Sequence, residues 1–281
     1  MEMRISAHHV ILILGMIFGP CTAVSAQTEQ GIHLRHRVYG SWGYNRGQFS
    51  ASNIHLSGKN YDFILHDVTA KDRPDPFSFG VYFDPKDFTL PQYNYRIGWF
   101  LNDRWSFSLG MDHMKYVVAQ DQTVRITGSI SQERSPTYAG TEEHLVRLSS
   151  DFLRYEHTDG LNLLSVDADH YDLIGTSSNG RHGLYLVEGL FAGPVIPRTD
   201  VRLFGEGINN RFHLSGYGAG AQLGLFAVLA DRIFARATVK GGYIELPDVL
   251  TTGTTTDRAE QRFWFVEESI VFGVLIGKGA R

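Results

Sequence analysis

The chain has 281 residues, 26 Lys and Arg against 30 Asp and Glu, a formal net charge of −4 and a single cysteine. There is no basic field to hold nucleic acid, and one cysteine excludes a disulfide framework or a thiolate metal centre. Past residue 27 no run approaches eighteen apolar residues, which excludes helical membrane spans, while 30 glycines and 12% aromatics suit strands that are apolar only on alternate residues.

The chain opens with Arg4, an apolar stretch over 10–18 and Val24-Ser25-Ala26 before Gln27. This reads as an export signal over 1–26, cleaved after Ala26, because an apolar core of about ten residues is too short to cross a bilayer of about 30 Å as a helix. Cys21 falls inside it, and Phe18-Gly19-Pro20 before that cysteine makes a poor lipobox. The remainder, 27–281, is expected to form one all-β domain.

Period-two alternation marks the strands. The first is predicted over 33–44, with Leu34, Val38, Trp42 and Tyr44 on one face and Arg35, Arg37, Tyr39 and Ser41 on the other. A second is predicted over 54–68, followed by a charged, Pro-containing turn at 71–76 and a short third strand over 77–83. The segment 93–116 carries strands four and five: Tyr93, Tyr95, Ile97 and Trp99 alternate with polar residues or glycine, Asn102-Asp103 turns the chain, and Trp105, Phe107, Leu109 and Met111 alternate with Ser106, Ser108, Gly110 and Asp112. The segment 118–160 is predicted to be irregular, with helical spacing over 143–154 through Leu145, Leu148 and Phe152. Strands six (163–173) and seven (183–192) flank a turn at 177–180, and 194–211 is a long polar segment with a short strand possible over 201–204. A glycine-rich hairpin over 216–243 turns at Ala230-Asp231-Arg232, a Thr/Gly-rich loop follows, and the last strand covers 263–276.

Outer-membrane barrels have short turns on the periplasmic side and long loops outside. With the turns at 102–103, 175–180 and 230–232 on the periplasmic side, the long stretches near 118–160, 194–211 and 246–259 all fall outside. That sorting favours a transmembrane antiparallel up-and-down β-barrel over a soluble sandwich. With 77–83 as a strand the count is about ten, and eight and twelve are the alternatives.

The leader, the aromatic-x-aromatic strands, the turn followed by Arg104-Trp-x-Phe-x-Leu-Gly110, and Gly216-Tyr-Gly-Ala-Gly220 resemble small bacterial outer-membrane β-barrel proteins. Tyr61-Asp-Phe63, Gln92-Tyr-Asn-Tyr-Arg96, Asp112-His-Met-Lys-Tyr116 and Glu156-His-Thr-Asp-Gly-Leu-Asn162 are similar to an uncharacterised group of such barrels, to which no activity attaches. The resemblance implies the outer membrane of a Gram-negative bacterium, insertion by the barrel-assembly machinery and contact with outer-membrane lipid. One departure is that such barrels usually end on an aromatic residue, whereas Phe272-Gly-Val-Leu-Ile276 is followed here by Gly277-Lys-Gly-Ala-Arg281.

With the aromatic faces toward lipid, the lumen is expected to receive Arg35, Arg37, Asp62, Arg96, Asp112, Asp167, Asp169, Glu188, Arg236 and Lys240. Ten strands enclose little more than side chains, so these charges are expected to pair and plug the lumen. An enzymatic alternative acting on lipid or peptide at the external rim draws on Asp112, His113 and His157, since a carboxylate beside an imidazole suits general-base chemistry. A narrow channel for a small solute is a third reading. Asp167 and Asp169 lack the further oxygen ligands of a calcium loop, Gly-x-Ser-x-Gly and His-Glu-x-x-His are absent, and a monomer without cofactor or metal is expected. Glu267-Glu268 puts one carboxylate on the lipid side unless a bulge intervenes.

Overall fold

The structure is a computed structural model that describes residues 32–74, 92–207, 211–254 and 256–278. The leader and the predicted strand 77–83 lie outside the described residues. Within them fourteen strands form one antiparallel sheet: β1 (Val38–Phe49), β2 (Ser52–Gly58), β3 (Tyr61–Val68), β4 (Ala70–Lys71), β5 (Tyr93–Phe100), β6 (Trp105–Val118), β7 (Thr123–Ile130), β8 (His144–Arg147), β9 (Leu153–Thr176), β10 (Gly183–Val195), β11 (Asp200–Leu203), β12 (Gly216–Leu229), β13 (Ile233–Leu250) and β14 (Arg258–Ile276). Eight of them close a ring in sequence order, β1-β5-β6-β9-β10-β12-β13-β14, which ends with β14 pairing β1 from Val38↔Ile276 to Phe49↔Phe265. This is an up-and-down barrel without a free edge, the form in which strands can cross a membrane because every spanning backbone group finds a partner.

The alternation of the sequence sets the two faces of the ring. Tyr95, Ile97, Trp99, Phe107, Leu109, Leu190, Leu223, Leu225, Val239, Ile270 and Phe272 point outward, and Leu109 and Ile97 are 67% and 65% exposed. Such a wrap of bare apolar side chains belongs against lipid. Aromatic residues border it: Trp105 lies 4.9 Å from His170 near the short turns, and Tyr243 lies 5.1 Å from Trp264 toward the long connections. The inward face carries small residues wherever a large neighbour crosses it. At Gly98, for instance, an added Cβ would sit 2.3 Å from the Tyr39 ring.

A strand needs about 9–11 residues to cross the bilayer, and β9, β13 and β14 have 24, 18 and 19. Their excess projects beyond the belt and carries a second structure. Arg258–Gln261 of β14 pair β2, and the sheet continues through β3 and β7 to β8, while β11 adds to β9 and β4 to β6. This external sheet has its own core, in which Phe63, Phe152, Leu161, Val201, Ile244 and Phe263 are buried. A smaller cluster of Ile32, Leu34, Tyr39, Phe100, Tyr171, Tyr185, Phe226 and Phe234 fills the opposite end of the barrel.

The ring has eight strands, the lowest of the counts weighed, and includes direct β1–β5 pairing. The predicted second strand, 54–68, is two strands. Asn60, at φ 68°, turns Gly58-Lys59-Asn60-Tyr61 into the β2–β3 hairpin, so the chain goes out and back and the strand parity is kept without a further stave. The stretch 118–160, expected to be irregular, is about half strand, in β7, β8 and the start of β9. The helical spacing over 143–154 belongs to β8 and the turn after it, with Leu148 and Phe152 buried in the external core and Leu145 exposed.

Candidate functional site

Between the two apolar clusters the lumen holds one layer of charge. Arg96, inward on β5, donates from Nε to Asp167 at 2.7 Å and from Nη2 to Asp112 at 2.8 Å. Lys240 on β13 reaches Asp112 at 2.7 Å and lies 3.5 Å from Asp167. Arg236 donates to Asp169 at 2.7 Å, Gln222 donates to Asp169 at 2.7 Å, and Ser165 donates to Asp167 at 2.5 Å. Asn94 bridges two carboxylates, donating to Asp112 and to Glu267 at 2.7 Å each. All seven charged members are nearly or completely buried. Burial of ions is tolerated only with such compensation, and each Asp in this layer accepts from at least two donors. A residual void of about 10 Å³ beside Arg96, Gln222 and Arg236 has room for about one water.

Four residues expected in this layer are elsewhere. Glu188 lies on the outward face of β10, because Tyr185, Val187 and Phe191 take the inward positions; its neighbours in register are His170 and Leu223. Arg35 is exposed before β1, where its backbone N–H donates to Asp103. Arg37 is buried but spans the barrel end, donating to the backbone and carboxylate of Asp231 in the β12–β13 turn at 2.6 and 2.8 Å. Asp62, also expected inside, is exposed on β3 and lies 2.9 Å from His55. Of the adjacent glutamates, Glu267 points inward and Glu268 outward opposite Arg46, in a continuous register without a bulge.

The rim residues do not converge. Asp112 is committed to Arg96, Lys240 and Asn94. His113, on the opposite face of β6, stacks on Tyr93 at 4.7 Å with Nδ1 2.8 Å from the Asn162 side-chain oxygen. His157 is buried in the external core between Tyr116 and Tyr155, with Nδ1 2.8 Å from the Thr199 hydroxyl. Burial alone pushes its pKa from 6.5 down to about 3, so it is a neutral ring with no carboxylate to activate it. General-base catalysis through Asp112, His113 and His157 therefore has no geometric basis, because neighbouring strand residues face opposite sides and the β6–β9 register shifts between Met114 and Tyr116.

Asn94, Gln222 and Glu267 complete the layer and were not anticipated as members. Each shares the inward parity of a named charge, Asn94 with Arg96 and Gln222 between inward glycines, and that parity was the available signal.

No protein-family model and no curated protein matches the sequence. Among solved structures the chain is similar to outer membrane protein OprG from Pseudomonas aeruginosa, at 10% identity over 88% of this chain and 98% of that one, with a TM-score of 0.39. It is similar to outer membrane protein AlkL at 13% identity over 92% and 96%, TM-score 0.38, and to Neisserial surface protein A at 11% identity over 84% and 96%, TM-score 0.33. The closed eight-stranded ring, the lipid-facing belt and the sorting of short turns from long connections carry the conclusion that this chain is a small outer-membrane β-barrel protein.

Proposed function

We propose that the protein is a monomeric, sealed outer-membrane anchor whose role is recognition at the cell surface by its external sheet. The observation that carries this reading is the division of labour along the barrel axis. The lumen is occupied at three successive levels, aromatic, charged and aliphatic–aromatic, while the staves continue outward into a sheet with a separate core. Eight strands enclose only side chains. Transport through such a lumen would require moving several buried ion pairs at once, so the working surface is the outside. In this reading the leader 1–26 is removed on export, outer-membrane lipid of a Gram-negative cell surrounds the belt, and the barrel-assembly machinery inserts the chain.

The test uses intact cells. A biotinylating reagent that does not cross membranes should label Lys59, on the β2–β3 turn, and the purified protein should show heat-modifiable migration on a gel. Recovery of the protein in the soluble periplasmic fraction, or labelling of Lys59 only after the outer membrane is broken, would overturn the proposal.

A further inference from the structure

The external sheet ends at β8, and among the described residues no strand pairs with the far side of that strand. Gly140 and Ile130 exchange backbone bonds at 3.0 and 2.9 Å, and the Leu148 N–H donates to the Gln122 carbonyl at 2.8 Å, so the even-numbered residues of this stretch turn their peptide groups toward β7. Hydrogen bonding alternates along an antiparallel pair, which directs the N–H and C=O groups of Glu143, Leu145 and Arg147 away from the sheet. The Arg147 carbonyl accepts from the Ser149 N–H at 3.0 Å, whereas the Leu145 N–H and C=O meet no partner among the described residues. The Leu145 side chain is 70% exposed, more than Leu109 in the lipid-facing belt. A bare apolar side chain on an unpaired strand edge is where a further strand can add.

The flanking charges say which strand. Glu142 and Glu143 precede Leu145 and Arg147 follows it, so a matching antiparallel strand must carry the same order of charge along its own chain. β8 itself meets that requirement. Paired about a dyad at Leu145, Glu143 faces the second copy's Arg147, Arg147 faces its Glu143, and the two Leu145 side chains meet. A register shift of two residues sets Leu145 against a charge, and a shift of four sets Glu143 on Glu143 or Arg147 on Arg147, which destabilises the pair. On their own sheet Glu143 and Arg147 hold only exposed ion pairs, with Arg125 at 3.4 Å and Asp121 at 2.8 Å. Such pairs contribute little, and across the seam they extend the alternation of sign. Every step from β14 through β2, β3 and β7 to β8 is antiparallel, so β8 runs in the sense of β14, toward the membrane. Its antiparallel mate runs the other way, which directs the second barrel to a facing membrane.

We propose that β8 is a homotypic docking edge, pairing antiparallel about Leu145 with β8 of a second copy of this chain on a facing membrane, while within one membrane the chain stays a monomer. It rests on the reading of the external sheet as the recognition surface and names the partner of that surface. Two edges this short make a weak contact, and many copies on facing membranes supply the avidity.

The experiment mixes two fluorescently distinct populations of proteoliposomes carrying the processed full-length protein, with the external sheet outward as shown by labelling of Lys59. Wild-type vesicles should cluster, with particle size rising severalfold, and Leu145→Lys vesicles should stay dispersed. Glu143→Arg and Arg147→Glu should each fail to cluster alone and should cluster when mixed, because both charge pairs across the seam then match again. The sequence's single cysteine lies in the leader, so Leu145→Cys gives the processed chain one thiol. It should cross-link between vesicles on oxidation, since a hydrogen-bonded antiparallel pair sets the two Cα atoms about 5.5 Å apart, inside the disulfide range. Glu143→Cys alone should not. Heat-modifiable migration reports folding independently, and only variants that still shift are counted. Dispersed wild-type vesicles, clustering by Leu145→Lys, or a Leu145→Cys cross-link in vesicles that stay dispersed would overturn the proposal. Dispersed vesicles with Lys59 labelled on intact cells would remove the homotypic edge and leave the surface-anchor reading standing. Clustering by a protein that gives channel steps would do the reverse for the sealed lumen.

Discussion

Lys240 bridges carboxylates on two strands, and among the described residues its ammonium and Arg96 are the cations on the second oxygen of Asp112. Lys240→Met keeps the stem that packs against Phe191, where the ammonium lies 4.4 Å from the ring centroid, but leaves Arg96 as the one cation facing both Asp112 and Asp167 among the described residues, beside neutral donors from Asn94 and Ser165. Breaking one partner of a buried pair costs roughly 3–5 kcal/mol, so the variant should unfold at distinctly lower urea concentration in a detergent-based migration assay. Asp112→Asn combined with Lys240→Met should recover part of the loss, because the two changes touch one network and are not additive. Equal midpoints for wild type and Lys240→Met would show that the layer is hydrated rather than packed. His157 offers a test outside the membrane. Its folded pKa of about 3 lies below the ordinary 6.5, so its neutral form stabilises the external sheet fully above pH 6.5. As pH falls from there toward 3 the unfolded chain takes a proton that the folded one refuses, and stability drops by on the order of 1 kcal/mol per pH unit. Amide exchange in β9 and β11 should accelerate over that window in the wild type, and His157→Gln should flatten the slope.

Each short turn has its own solution, and the β12–β13 turn is the most strained of them among the described residues. Ala230 and Asp231 sit at φ 49° and 62°, at the centre of the three-residue connection 230–232 where Arg232 N–H donates to the Leu229 carbonyl at 3.2 Å, in the left-handed region that glycine enters without steric cost. Asp231 is held there by Arg37, whereas Ala230 has no such tie through its methyl group. Ala230→Gly should therefore stabilise the barrel, by up to about 1 kcal/mol offset in part by the looser unfolded chain, and an unchanged or lowered unfolding midpoint would show that the unfolded-state term wins. The same hairpin shows why much of this fold could be read from the chain. Tyr217, Leu223, Leu225, Ile233 and Val239 alternate strictly, with lipid on one face and a crowded lumen on the other, and any one-residue slip would exchange the two faces. Period-two logic gives a residue's face but not its height. Arg37 and Lys240 share a correct inward parity, yet one caps the barrel end and the other lies at mid-depth. Glu188 failed on face as well, since its strand mixes small and large residues on both sides, with Leu184, Leu186 and Leu190 outward and Tyr185, Val187 and Phe191 inward. The external sheet was the least legible part, because its strands bury one face against a core made of distant segments. Leu148 and Phe152 are apolar for Phe63, Phe204 and Tyr138, not for a helix of their own.

At the scale of the whole molecule, the order of layers along the lumen decides what a perturbation can open. The inner end is closed by Leu34, which follows Ile32 into the aromatic cluster and is tied down where its backbone N–H donates to Asp103 at 2.6 Å and Tyr185 donates to the Ile32 carbonyl at 3.2 Å. The middle is closed by ion pairs, and the outer end by Tyr116, Phe263 and their neighbours, with Ser52 and Gln261 bonded to the Tyr116 hydroxyl. Because the layers are in series, clearing one leaves two. Wild-type protein in a planar bilayer should show no stepwise current, and Arg236→Ala, which empties part of the charge layer, should remain closed despite its loss of stability. Leu34→Ala together with Arg236→Ala still leaves the outer core in place and should also stay closed. Current in either variant would mean that ions bypass the outer core along the wall between β1 and β6, where β5 ends at Tyr93 and Gln92 and Asp72 bond inward to Asn45 and Gly47. Current in the wild type would mean that the charge layer is a selectivity element in a conducting path. Closed records across all three proteins, with Arg236→Ala unfolding earlier than wild type, are what a lumen built for rigidity requires, and they would place the molecule's interactions on its outer sheet.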